Sequence, residues 1–216
     1  MPKVPSECRP SNENRITRIG SQGESRAERL ARPKKSDVWP KAVASVGRAP
    51  AETRIIHVCD REGDTFETTQ ACEDHGVGFL IRAQHNRHVN GGTNKLWPFL
   101  ASQPVIARRE IELTAQHKRR ANRAKLAVCC AKVTLEPPKG DPRFTTPRAA
   151  WAIYVTEERS PKDVEPIEWM LLTSQPTQSA KESWLRVDWY AVRWLIEEFH
   201  KDSRRNNITI ATATAP

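Results

Sequence analysis

The sequence contains no run of apolar residues that approaches the roughly 20 needed for a helix to span a bilayer. Its first residues, MPKVPSECRPSNEN, lack the apolar segment of a secretory signal, so we expect no such signal. No internal repeat is evident either. These absences argue against a membrane partner and against a repeat architecture.

Cysteine is scarce, and its spacing is not that of a metal site. The chain has 5 cysteines, an odd number, with Cys129 and Cys130 adjacent in an apolar run and Cys59 and Cys72 isolated. Zinc sites and disulfide frameworks use paired spacings that this pattern lacks. We therefore expect reduced, half-buried thiols.

Acidic residues are outnumbered by basic ones. The 216 residues include 35 Lys and Arg against 26 Asp and Glu, a net charge of +9. A charge of this sign favours a polyanion partner, most simply nucleic acid. The alternative, an ordinary basic protein, is left open by charge alone. The length suits one domain with a real core, or a core with an inserted subdomain.

The first half of the chain divides at about residue 50. Residues 1–50 are rich in Pro, Ser, Arg and Lys, and we expect a mostly irregular basic arm, with a short helix around Glu24–Ala31. Residues 51–104 indicate part of an α/β core. Strands at Arg54–Asp60 and Val77–Gln84 flank a helix from about Thr65 to Asp74, which Asp64 is placed to cap. This β-α-β pattern predicts a parallel strand pair. A short helix follows at about Lys95–Ala101.

Residues 105–165 have a different character and predict a β-rich insertion. The segments VIARREIEL, KLAVCCAKVTLEP and AAWAIYVTEE indicate three strands. The first loop between them is basic, with His117, Lys118, Arg119, Arg120, Arg123 and Lys125. We expect either a DNA-facing tip or a solvated loop. Residues 166–206 then supply a return strand, EWMLLTS, and a long helix starting near Gln178; residues 207–216 form an irregular tail.

The long helix carries a polar stripe. Its members are separated by 3, 4, 4 and 3 residues and therefore share one face: Tyr190, Arg193, Glu197, Lys201 and Arg204. A second, apolar stripe is formed by Val192, Ile196 and Phe199, with Leu195 beside it, and we expect the helix to pack by this stripe. The alternative interpretation of the polar stripe is a solvated face with helical ion pairs.

Asp60 and Glu197 are the candidate metal ligands. Asp60 ends a buried strand, at the edge of an α/β sheet where ligand sites form, although helix capping would also explain it. Two carboxylates converging there suit Mg²⁺ or Mn²⁺ and phosphoryl transfer with ions about 3.5–4 Å apart. Arg193, Lys201 and Arg204 are placed to hold phosphates. Trp169 and Tyr190 offer faces for a base.

Two motifs resemble bacterial insertion-sequence DDE transposases, most closely the insertion-sequence-four family. VCDREGD at Val58–Asp64 is similar to the family's second-aspartate motif. YAVRWLIEEFHK resembles its Y-x2-R-x3-E-x6-K motif, with Arg204 at the final lysine position. IRAQHNRH, with Arg82, and WMLLTS, with Trp169, match in character and order, so the resemblance covers roughly residues 20–205.

The resemblance implies a ribonuclease-H-like α/β fold with a β-strand insertion before the last catalytic helix. It implies cut-and-paste DNA transposition through nicking, hairpin formation and strand transfer, with Mg²⁺ or Mn²⁺ as cofactor. The roles implied for individual residues are metal ligation by Asp60 and Glu197, contact with transposon-end DNA by Tyr190, Arg193 and Arg204, base stacking by Trp169 and phosphate contact by Arg82. Expected partners are DNA and either a second copy or full-length transposase, in the bacterial cytoplasm at the nucleoid.

The sequence departs from the family in ways that predict a fragment. The family needs an aspartate on a first strand, but only Asp37 precedes Asp60, in KKSDVWPK, without a strand pattern. Arginine at position 204 keeps the charge and changes the phosphate geometry. We therefore expect a partial catalytic domain, inactive alone and incomplete at its N-terminal strands. The alternatives are a non-catalytic DNA-binding module that interferes with full-length transposase, or a chain left unstable by an unpaired sheet edge.

Overall fold

A computed structural model of the chain describes residues 32, 34–92, 94–113, 122–162 and 164–193. They form a mixed α/β structure with one open sheet. Its strands are β1 Ile56–Cys59, β2 Gly78–Arg82, β3 His88–Val89, β4 Asn94–Lys95, β5 Ala107–Leu113, β6 Asn122–Leu135, β7 Arg148–Glu157 and β8 Glu168–Thr173. Its helices are α1 Val38–Val46, α2 Phe66–Asp74, α3 Leu96–Ala101 and α4 Ala180–Val192, with 3₁₀ turns at Lys35–Asp37 and Arg61–Gly63.

The sheet has the order β1-β2-β8-β7-β6-β3-β4, and β5 also pairs with β6. β1 and β2 are parallel, joined by α2, so the predicted β-α-β unit is confirmed. The other pairs are antiparallel, as expected of a meander for β5, β6 and β7. Within the described ranges, no helix is long and apolar enough to cross a membrane.

β1 is the terminal strand of this sheet. Among the described residues its one strand partner is β2. An edge strand presents a row of backbone N–H and C=O groups, and natural sheets usually shield such edges. Asp60 therefore follows a strand at the margin of the sheet, not at its centre.

The core occupies both faces of the sheet. Successive residues alternate between faces: Leu80, Leu171 and Ile153 pack under α4, whereas Ile81 and Leu172 pack toward the other three helices. All five are at most 1% exposed. Burial on two faces explains why β2 and β8 have continuous apolar runs instead of alternating ones.

Helix α1 lies within the stretch that we expected to be mostly irregular. Val43 is buried and Trp39 packs against the same core cluster. These two apolar residues, four apart, are enough to dock one helical face. The helix is followed by Gly47, whose positive φ of 70° is accessible to glycine because it has no side chain. The helix predicted around Glu24–Ala31 lies outside the described residues.

The described cysteines are all free, but Cys59, Cys72 and Cys129 are buried and only Cys130 is half-buried as expected. Burial raises the pKa of Cys59 to about 12. Burial likewise raises the pKa of Cys72 and of Cys129 to about 11. Since the thiolate is the nucleophile, two factors protect these three thiols from chemical modification: they are inaccessible and they stay protonated.

We predict that Cys59, Cys72 and Cys129 react with an aromatic disulfide reagent at pH 8 only as fast as the protein unfolds. Their modification should accelerate steeply when denaturant is added, because it then requires opening of the core. Reaction of all 5 thiols within the mixing time, without denaturant, would instead support the interpretation that the chain does not fold stably.

Candidate functional site

Asp60 directly follows β1, at the carboxyl end of the parallel strand pair. It is the N-cap of the 3₁₀ turn Arg61–Gly63, where its Oδ1 accepts a hydrogen bond from the amide of Glu62 at 2.9 Å. The capping role and the position at the end of β1 are thus both confirmed, whereas metal ligation by Asp60 stays a prediction. The cap orients the carboxylate and leaves Oδ2 outside that bond.

Gly63 lets the turn after Asp60 pack tightly against the sheet. A Cβ atom at this position would lie 2.5 Å from the Cβ atom of Cys59 and 3.4 Å from the Trp39 ring. Cβ atoms do not approach one another that closely, so a side chain here would displace the turn. The position of Asp60 therefore depends on the absence of a side chain at residue 63.

A cation lies beside the turn. The ammonium of Lys35 pairs with the Glu62 carboxylate at 2.6 Å. Its hydrogen bond to Glu62 raises the pKa of Lys35, and the Asp60 charge adds a smaller contribution of the same sign. Asp37, the one aspartate that precedes Asp60, lies in a 3₁₀ turn and accepts from the amide of Lys34 at 2.7 Å.

The predicted pairing of Asp60 with Glu197 falls outside the described residues, as do Lys201 and Arg204. In the part of the chain that is described, no group of three or more His, Cys, Asp or Glu residues is arranged to hold a metal ion. The carboxylate of Asp60 is therefore the one candidate ligand from the predicted pair whose geometry the structure gives.

We had expected Asp64 to cap α2, but it does not. The cap is Thr65, whose hydroxyl accepts from the amide of Thr68 at 3.1 Å. Asp64 is 2% exposed. Its Oδ2 accepts from the amides of Gln84 and His85, at 2.8 and 2.9 Å.

The Asp64 carboxylate also forms an ion pair with Arg87 through Oδ1. Because it reaches backbone amides that follow β2, Asp64 ties the segment after β2 to the turn after β1. Both segments border the candidate site. A buried carboxylate and a helix cap give the same sequence signal, so this role was missed.

A pocket of about 260 Å³ opens between these two segments. It is lined by Arg61, Arg82, Ala83, Gln84, Trp97, Glu168 and Met170. The guanidinium of Arg82 donates to the carbonyl oxygen of Glu168 at 3.1 Å. Arg82 was expected near DNA, whereas Trp97 was missed because a single tryptophan in a short helix usually indicates core packing.

At the described end of α4, the buried and exposed residues are the opposite of those expected from the sequence. Tyr190, assigned to the exposed polar stripe, is 6% exposed, whereas Val192, assigned to the packing stripe, is 58% exposed. The expectation about Val192 was therefore wrong. The buried residues are Ser183, Arg186, Val187 and Tyr190, at helical spacing. Ile196, Phe199 and Leu195 lie outside the described residues.

Trp169 packs against Tyr190 between the sheet and α4. Their ring centroids are 5.3 Å apart with an interplanar angle of 71°, an edge-to-face contact. The tyrosine is buried and the tryptophan half-buried. Both rings thus have a packing function, and their contact with DNA stays a prediction.

Arg193 brings positive charge from the end of α4 toward β1. Its guanidinium carbon lies 5.8 Å from the centroid of the Tyr190 ring. Burial raises the pKa of Cys59, the residue before Asp60, and the charge of Arg193 lowers it by a smaller amount. Whether the rest of this helix converges on the end of β1 stays a prediction, because residues 194–206 lie outside the described residues.

The described part of the insertion does not present uniform positive charge. Arg123 and Lys125 belong to β6, and they pair with Glu112 at 3.3 Å and Glu158 at 3.5 Å. Arg109 pairs with Asp188 at 2.5 Å. His117, Lys118, Arg119 and Arg120 lie outside the described residues. A DNA-facing role of this loop stays a prediction.

A second pocket, of about 560 Å³, lies at the opposite end of the sheet. It includes Val77, before β2 begins, and the carboxylates Glu73 and Asp74. The lining also includes Arg148, which pairs with Glu73, so two carboxylates there outnumber one cation. The smaller pocket has two arginines against one glutamate and is therefore the better candidate for contact with phosphates.

No protein-family model matches the chain. A half-buried carboxylate, the guanidinium groups of Arg61, Arg82 and Arg193 and an indole border one end of the sheet. These groups suit binding of a phosphodiester and a base.

Proposed function

We propose that the chain is a partial catalytic domain of a DNA transposase that uses metal-dependent phosphoryl transfer. It resembles the insertion-sequence-four group of DDE transposases and has a ribonuclease-H-like fold without the first catalytic aspartate. The observation that carries the proposal is the position of Asp60. It belongs to the VCDREGD motif and directly follows β1, its charge interacts with that of Lys35, and its neighbour Arg61 lines the pocket that contains Arg82.

The order of elements supports this proposal. A parallel β-α-β unit is followed by an antiparallel insertion of β5, β6 and β7, then by the return strand β8 and helix α4. β8 pairs with β2, so the chain returns beside the strand that carries Arg82. A core that lacks its first strands would also leave the Asp60 strand at the margin, where β1 lies among the described residues.

In this proposal Asp60 and Glu197 hold Mg²⁺ or Mn²⁺. When bound, such an ion activates a water or 3′-hydroxyl and stabilises the leaving oxygen. The described residues contribute only Asp60 and do not by themselves form a divalent-cation site. Asp37, the one aspartate before Asp60, lies in a 3₁₀ turn and not on a strand, so we assign no cleavage step to the lone chain. Its own residues orient the Asp60 carboxylate and bind phosphates.

We predict that Mn²⁺ raises the melting temperature of the parent chain but not that of Asp60→Asn. Asparagine keeps the oxygen that caps the turn, so the variant removes the charge and not the fold. An ion at about 100 times its Kd stabilises by about 2.7 kcal/mol, worth about 2–4 °C per kcal/mol in a chain of this size. Glu62→Gln is the matched control, because Glu62 lies in the same turn and is exposed.

Equal shifts in the parent and in Asp60→Asn would place the ion elsewhere, and no shift in the parent would contradict the metal site. Incubation with transposon-end DNA and Mn²⁺ should leave that DNA intact. Cleavage that Asp60→Asn abolishes would overturn the inactivity of the lone chain.

A non-catalytic DNA-binding module is the second candidate function. It is favoured by the net charge of +9 and by a pocket whose two arginines, Arg61 and Arg82, suit phosphates. Its binding of DNA should weaken steeply with salt because each phosphate contact releases counterions. Unlike the first proposal, it requires no effect of Mn²⁺. Salt-insensitive binding would contradict it.

A further inference from the structure

We propose that the pocket bounded by Arg61, Arg82, Trp97 and Glu168 binds one unpaired nucleotide of a DNA strand. We further propose that it prefers a base with an exocyclic amino group over thymine. This inference rests on the proposed function, because it takes DNA as the ligand. It adds the part of the strand that is bound and the residues that select it.

Trp97 supplies a fixed aromatic face. Its neighbours Leu96 and Leu100 are fully buried and anchor the short helix α3 in the core. The amide of Trp97 donates to the side-chain oxygen of Asn86 at 3.0 Å. The indole itself is half-buried and lines the pocket. A base can stack on such a surface with little loss of side-chain freedom, since the ring already packs against the core.

Trp169, the tryptophan expected to stack on a base, is placed differently. Its ring makes an edge-to-face contact with Tyr190, in the layer between the sheet and α4. It does not line the pocket that contains Arg82. Of these two tryptophans, Trp97 is the one that shares a concave surface with Arg82.

The two arginines suit the phosphates on either side of such a nucleotide. Arg61 is exposed in the turn directly after Asp60. Arg82 ends β2, and its bond to the carbonyl of Glu168 uses one of five N–H groups and orients the guanidinium. Planar guanidinium groups bind phosphate oxygens through paired hydrogen bonds.

Glu168 provides the selectivity. Its Oε1 accepts a hydrogen bond from the hydroxyl of Tyr154 at 2.5 Å, which positions the carboxylate and leaves Oε2 outside that bond. An ionised carboxylate only accepts hydrogen bonds, so it favours an amino group on the base and disfavours the O4 carbonyl of thymine. The volume of about 260 Å³ suits one base, not a base pair.

The test measures binding of fluorescent oligonucleotides by anisotropy at low salt. The probes are a blunt duplex and two single strands that differ only in a central run of cytosine or thymine. We expect the parent chain to bind the duplex, and to bind the cytosine strand about tenfold more tightly than the thymine strand. Trp97→Ala should weaken cytosine-strand binding about tenfold while duplex binding changes less than twofold.

Glu168→Gln separates selectivity from folding. The glutamine amide donates as well as accepts, so the variant should bind the thymine strand more tightly than the parent does. Its affinities for the cytosine and thymine strands should then be about equal. Trp184→Ala is the matched control, because Trp184 is half-buried under Arg109 in the α4 layer and does not line the pocket. It should leave the cytosine preference unchanged. Thermal melts of every variant confirm that it is folded.

Failure of this inference differs from failure of the proposed function. Duplex binding that persists, with single-strand binding unaffected by Trp97→Ala, would overturn the pocket and leave the proposed function standing. Equal affinity of the parent for the two single strands would overturn the selectivity of Glu168. Absence of binding to every probe at low salt would overturn both proposals.

Discussion

Replacing Asp64 by alanine is expected to lower the free energy of unfolding by about 3–5 kcal/mol, the usual effect of removing one partner of a buried ion pair. Arg87 would lose its carboxylate partner while its side chain remains only 11% exposed. The amides of Gln84 and His85 would lose their acceptor as well. Urea denaturation of both proteins measures the difference.

Asp74→Ala is the control for this experiment. Asp74 belongs to the same helix region but is exposed, with a side-chain bond to Gln70. We expect a change within about 0.5 kcal/mol, the usual range for surface positions. A small effect of Asp64→Ala, similar to that of Asp74→Ala, would show that the carboxylate is solvated and does not hold the two segments.

A double variant separates the ion pair from the backbone contacts of Asp64. Asp64→Ala combined with Arg87→Met should be less destabilised than the sum of the single variants, because the double variant buries no unpaired charge. The destabilisation that remains in the double variant measures the loss of the hydrogen-bond acceptor for the amides of Gln84 and His85. If the losses of the two single variants add strictly, Asp64 and Arg87 are not energetically coupled.

The six longer strands were predictable because burial on both faces leaves a clear apolar pattern in the sequence, whereas the two-residue strands β3 and β4 were not predicted. FLI in β2 and MLL in β8 are apolar at every position, since their side chains meet helices on both sides of the sheet. Turn residues then delimit each strand. The parallel pairing of β1 and β2 followed from the intervening helix, since the return to a parallel strand requires such a crossover.

The candidate site was less predictable because its groups come from segments far apart in sequence. Arg61, Trp97 and Glu168 line one pocket, yet no local pattern links them. Asp64 shows the same difficulty, since its partner Arg87 is 23 residues away. Local patterns specify elements, whereas the choice between capping a helix and pairing across the sheet edge depends on tertiary contacts.

Amphipathic analysis of the last helix was wrong at Val192 for a related reason. It ranked residues by polarity, so tyrosine went to the polar stripe and valine to the apolar one. The structure instead buries a row that includes Arg186 and Tyr190, both long side chains with a large apolar part. Arg186 lies over the Trp189 ring at 4.2 Å, a contact that polarity alone does not anticipate.

The second large effect is expected at this helix. Tyr190→Ala should lower the free energy of unfolding by about 3–5 kcal/mol, the typical loss for a buried aromatic side chain, because the ring is 6% exposed and packs on Trp169. Val192→Ala, two residues on and 58% exposed, should cost no more than about 0.5 kcal/mol. Chemical denaturation of the two variants compares these positions directly.

A larger loss for Val192→Ala than for Tyr190→Ala would mean that the helix packs by the face assigned from the sequence. Tyr190→Phe then separates stability from DNA contact, since phenylalanine keeps the ring that meets Trp169 and removes only the hydroxyl. If that hydroxyl contacts DNA, Tyr190→Phe weakens binding in a protein of nearly unchanged stability. If Tyr190 only supports the sheet, Tyr190→Phe binds as the parent does, and any loss of binding in Tyr190→Ala follows its loss of structure.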